Sequence, residues 1–109
     1  MSELKVVLGE NGEKITVGDK VYHLSPLTLG DIADAEEKFG CDLESFQMAF
    51  KKVKNLLFLV YLAMREKQPN ITPEDIGKLF KVSDMEQLNA ILVSILNISG
   101  MNETVEKKA

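Results

Sequence analysis

At 109 residues the chain has room for one hydrophobic core, and 45% hydrophobic against 28% charged residues is the balance of a folded, water-facing protein. A formal charge of −4, from 17 acids and 13 bases, repels a polyphosphate backbone, and no basic face interleaved with aromatics offsets it, so nucleic acid is not an expected partner. One cysteine, Cys41, permits no internal disulfide and implies no oxidising compartment.

Met1-Ser2-Glu3-Leu4-Lys5 lacks the charged-then-apolar pattern of a secretory signal. The longest apolar run, Leu56 to Met64, has nine residues, well short of the roughly 20 that span a bilayer. The expectation is a cytoplasmic protein with no membrane partner, folded as a single domain over residues 1–100 and ending in a flexible tail, 101–109, that has little apolar surface to order it.

Residues 4–8 and 13–17 are rich in β-branched types and flank a turn signal, Gly9-Glu10-Asn11-Gly12. A second turn signal, Gly18-Asp19, leads into Lys20-Val21-Tyr22-His23-Leu24, which alternates as a strand does. The region 1–26 therefore reads as a β-hairpin or three short antiparallel strands, ended by Pro26, which has no N–H for a ladder.

From Thr28 the period becomes helical, through residue 98. Three starts carry a hydroxyl followed three places on by an acid: Thr28/Asp31, Thr72/Asp75 and Ser83/Glu86, of which the last is a complete capping box by residue type. Pro73 suits a first helical position, and Gly40 suits a helix end. The pattern predicts a short acidic helix from Leu29 to Lys38. A long second helix follows from Asp42 to Lys67, with Leu43, Phe46, Phe50, Val53, Leu57, Val60 and Met64 on one stripe. A third runs from Pro73 to Phe80 with Ile76, Leu79 and Phe80 inward, and a fourth from Asp84 to Asn97 with Met85, Leu88, Ile91, Leu92, Ile95 and Leu96 inward. The fold class is thus mainly α within α+β: strands, then a four-helix arrangement with one long central helix.

Over Leu56–Met64 that central helix is apolar all round, because Leu56, Phe58, Leu59, Tyr61 and Leu62 lie off the stripe. Either the other helices enclose it, or part of it is a contact surface for another chain.

Chemistry has few candidates. His23 is the sole histidine and reads as a structural strand residue; Cys41 stands at a helix start among acids that oppose thiolate formation, and reads as structural or neutral. One His and one Cys cannot build a zinc site. The acids between Asp31 and Glu44 do not follow the calcium-loop pattern, and the glycines fit no phosphate loop. Neither catalytic residues nor a metal or cofactor is expected. Charge is uneven: Asp31–Glu44 holds six acids and one base, whereas Lys51–Lys67 holds five bases and one acid. The two segments can pair within the chain, or orient a partner or a second copy.

The stretch Ile15-Thr16-Val17-Gly18-Asp19-Lys20-Val21-Tyr22-His23-Leu24-Ser25-Pro26-Leu27-Thr28-Leu29-Gly30-Asp31, closing at Phe39-Gly40, resembles the front of the tail assembly chaperones of long-tailed bacteriophages. There a strand pair, a Pro-Leu-Thr bridge and a Gly-Asp helix start lead into an acidic helix. Leu57–Arg65 and Ile71-Thr72-Pro73-Glu74-Asp75-Ile76-Gly77-Lys78-Leu79 are also similar, so the likeness spans roughly residues 13–96. The resemblance implies a non-enzymatic phage or prophage protein of the bacterial cytoplasm. Such a protein coats the tape-measure protein, keeps it soluble until tail tube subunits polymerise around it, and often self-associates. Leu56, Leu59 and Tyr61, bordered by Lys52 and Arg65, form the expected partner surface. The alternatives are a small head–tail joining or tail-completion protein of the virion, or a small enzyme or thiol-dependent regulator resting on Cys41 and His23.

Overall fold

The structure, a computed structural model, describes the backbone of residues 6–8 and all of residues 13–101. Three strands form an antiparallel sheet in the order β1 (Val6–Leu8), β2 (Lys14–Val17), β3 (Lys20–His23). The pairings Leu8↔Ile15 and Ile15↔Tyr22 fix the register. Gly18, at φ 66°, supplies the left-handed position of the two-residue loop between β2 and β3, and this loop pins Val17 opposite Lys20. Alternation then turns Ile15 and Val17 into the core. The turn expected at Gly9–Gly12 and the tail expected at 102–109 lie outside the described residues.

The path from sheet to helices is stitched down by hydrogen bonds. Leu24 N–H donates to Glu13 O (2.8 Å), carrying the ladder one residue past β3, and Ser25 N–H donates to Ala63 O (2.8 Å). Leu27 N–H donates to Ser99 Oγ (2.8 Å). The Gln68 side-chain amide serves both backbone groups of His23, accepting its N–H (2.7 Å) and donating to its carbonyl (3.1 Å), as a neighbouring strand would.

Helix α1 (Leu29–Phe39) opens with reciprocal bonds between Thr28 and Asp31 and closes at left-handed Gly40. Helix α4 (Pro73–Leu79) opens the same way with Thr72 and Asp75. At both, an aspartate at the third position completes the box. The Ser83/Glu86 box does not form: Ser83 lies inside a 3-10 turn, Val82–Asp84, and Asp84 accepts the Lys81 N–H (2.8 Å), so helix α5 starts at Met85 and runs to Ile98. At its far end Gly100 N–H donates to Asn97 O and Met101 N–H to Leu96 O, a Schellman closure that buries Met101 in the packed unit, although the tail was expected to begin there.

The single long helix over 42–67 is replaced by three pieces: a 3-10 turn Leu43–Ser45, a one-turn helix α2 (Phe46–Ala49), and α3 (Val53–Met64). Lys52 is extended (φ −95°, ψ 130°), and Asn55 Nδ2 donates to Ala49 O (2.8 Å), tying α3 back to α2 across the break. The break folds Phe46 back to full burial, edge-on to Phe39 (5.0 Å between centroids) and Phe50 (6.0 Å). It also avoids stacking Lys51 and Lys54 one turn apart in a continuous helix. There are thus five α-helices among the described residues, in an otherwise α+β fold.

Helix α3 is the centre, with α1, α4 and α5 packed around it and α5 also lying along β1. Leu56 is 4% exposed and Leu59, Val60, Ala63 and Met64 not at all. Enclosure by the other helices is the arrangement found. A guanidinium fastens α1 to α3: Arg65 Nη2 donates to Asp31 Oδ1 (2.7 Å) and Asp34 Oδ2 (2.8 Å).

Two stability predictions follow from this packing. Leu59→Ala should cost about 3 kcal/mol through lost transfer energy and a cavity, and Leu59→Asp should remove the cooperative urea transition followed by circular dichroism. Asp31→Ala, which removes both a cap and an ion pair, should cost about 1–2 kcal/mol, whereas exposed Asp34→Ala should cost less than about 1 kcal/mol in the same assay.

Candidate functional site

Most of the expected partner surface is spent inside the molecule. Leu56 and Leu59 point into the core between α3 and its neighbours and offer nothing to another chain, which corrects their assignment to the surface. Tyr61 is half-buried, stacked at a tilt on Phe58 (5.7 Å) and covered by the Arg65 guanidinium (5.6 Å). Arg65 is committed to Asp34 and Asp31, whose hydrogen bonds hold its pKa above the usual arginine value against a smaller opposing cost of burial. Of the five residues, Lys52 alone is exposed.

Arg65 also resolves part of the charge asymmetry, since its pairing with α1 is intramolecular. Lys51, Lys52 and Lys54 behave differently: all are exposed, and none makes an ion pair among the described residues. They surround the N-terminus of α3, which has no capping side chain and no acid in its first turn. That end carries the positive pole of the helix dipole, so three lysines there raise an already positive potential.

Two apolar hollows flank this helix start. The first is floored by Phe39, Cys41, Met48 and Ala49, with Lys52 at its edge. The second, a groove of about 320 Å³, runs between Val53 and Leu57 of α3 and Gly77, Phe80, Val82 and Met85, with Lys81 on its wall. Met48 is 69% exposed, Val53 49% and Val82 89%, so large apolar side chains left in water gather here. A third hollow, by Tyr22, Ile71 and Leu79, is edged by the polar Gln68, Asn70 and Asp75.

The arrangement can receive apolar side chains and attract carboxylates. Periodicity does not reveal it, because the apolar spacing places Val53 on the buried spine; only the break at Phe50–Lys52 turns it outward. Val82, apolar between Lys81 and Ser83 and one residue before a candidate cap, is the signal that was legible in sequence. His23 is exposed on β3, held through its backbone by Gln68, and Cys41 is half-buried in the first hollow as a free thiol. Among the described residues no group of His, Cys, Asp and Glu is arranged to hold a metal ion, and no helix is long and apolar enough to cross a membrane.

The chain matches no family model, no curated protein and no solved structure.

Proposed function

We propose that the chain is a non-enzymatic tail assembly chaperone of a phage or prophage, acting in the bacterial cytoplasm by holding the tape-measure protein soluble while the tail is built. The observation that carries this reading is the gathering of exposed Met48, Val53 and Val82 around two apolar hollows, on a chain whose core is otherwise closed. A tape-measure protein is a long helix with apolar stripes, and such a helix is captured by grooves that take its side chains at successive turns. The segments resembling the chaperones support the same reading. The Thr28-capped acidic helix and the Thr72-capped α4 both pack on α3, and the segment after the strand pair is tied to it by Ser25 N–H donating to Ala63 O. Tail tube protein is the second partner this role implies, and self-association is a property it tolerates.

Co-expression with the neighbouring genes, followed by affinity capture on this chain, should recover a very long, helix-rich protein, and purified virions should lack the chain. Stoichiometric presence in virions, with no such capture, would instead mark it as a head–tail joining or tail-completion component.

A further inference from the structure

We infer that the groove at the start of α3 receives an amphipathic helix of a partner protein whose apolar stripe is flanked by carboxylates. This deepens the chaperone reading and rests on it for the partner's identity, but the chemistry comes from the groove. Val53, Leu57, Phe80, Val82 and Met85 give it an almost wholly apolar wall, suited to side chains repeating every three or four residues. Lys81 lies on that wall, and Lys51, Lys52 and Lys54 stand within one turn of Val53.

Those lysines are disfavoured where they are. Lys52 stands at the N-cap of α3 and Lys54 in its first turn, so both oppose the positive pole of the helix dipole with no acid there to offset them. Incoming carboxylates relieve that cost, whereas a basic partner adds to it. The acids of the adjoining elements are Asp84, which accepts the Lys81 N–H, Glu86 in the first turn of α5, and Glu74 and Asp75 in the first turn of α4.

A second copy is a poorer occupant. In α1, the acidic helix, Asp31 and Asp34 are bound by Arg65, Glu36 accepts the Leu43 N–H (3.1 Å), and Leu29 is its sole large exposed apolar residue.

The test uses the full chain and two synthetic helical peptides of about four turns, sharing one leucine stripe and flanked by glutamates in one and lysines in the other. The glutamate peptide should shift the NMR resonances of Val53, Leu57, Phe80, Val82 and Met85. It should bind about tenfold or more tighter than the lysine peptide, and that margin should shrink as salt is raised. Lys54→Glu should narrow the preference. Val82→Asp, at a site exposed enough to leave the circular dichroism unchanged, should weaken binding. Equal affinities, shifts confined to the Met48 hollow, or concentration-dependent dimerisation that covers the groove would each overturn the inference. Undiminished capture of the tape-measure protein by the Val82→Asp chain would sink the groove and leave the chaperone reading standing. Groove binding of the glutamate peptide with no tape-measure capture would do the reverse.

Discussion

Everything in this fold answers to the need to take the broad apolar face of α3 out of water. Leu56, Leu59, Val60, Leu62, Ala63 and Met64 form a buried face somewhat wider than half of its circumference, and each buried large aliphatic contributes about 1.5–3 kcal/mol when fully enclosed. No single neighbour can cover such a helix. α1, α4 and α5 together do so, and the short ones gain their own order from the contact, since a helix of seven or eleven residues is marginal alone in water. The sheet contributes Ile15 and Val17 to the same core.

Apolar burial alone would leave the order of the pieces loosely specified, and directional contacts supply that order. Ser25 is bonded to Ala63 and Leu27 to Ser99, so the crossing from sheet to helix touches the ends of both α3 and α5. Gln68, just past α3, docks on His23 of β3. Arg65 does the same for α1, and its partner Asp31 divides its two oxygens between the ion pair and the cap of its own helix. Each bond is modest, but together they fix which face of each element meets α3.

Local grammar was readable before any coordinates. Gly18 and Gly40 stand where positive φ is needed, Thr28 and Thr72 cap the predicted helices, Pro73 opens α4, and the alternation around Ile15 gives the inward face of β2. What periodicity could not carry was the interruption at Phe50–Lys52, because a three-residue break preserves the spacing of apolar residues while changing their direction. Hence Val53 appeared as core and lies half in water, and Leu56 and Leu59 appeared as surplus and are buried. The second error has its own cause. A hydrophobic count along one helix says nothing about how many neighbours will surround it, and three do. The charge pattern between the acidic and basic segments was visible, but which bases would be used inside the molecule depended on reach: Arg65 meets α1, and the lysines at the other end of α3 meet no acid among the described residues.

The same break explains why unfilled apolar surface sits where it does. Along its buried face α3 is packed against α1, α4 and α5, so no groove can open there without emptying the core. At its start the chain has just left α2, Lys52 is extended, and the neighbouring connection from Phe80 to Met85 is a 3-10 turn instead of a helix. Two irregular connections side by side leave a gap that regular helices would have closed by interlocking side chains. Stability is therefore invested in the body of α3, and the opening at its head can admit another polypeptide without disturbing Leu59 or Ala63. Lys51, Lys52 and Lys54, which make no ion pair among the described residues, slightly disfavour the isolated fold, yet they give the gap a sign. A site that is both hollow and positive on a chain of net charge −4 attracts an acidic helix locally while the rest of the surface repels it, which constrains where such a helix can settle.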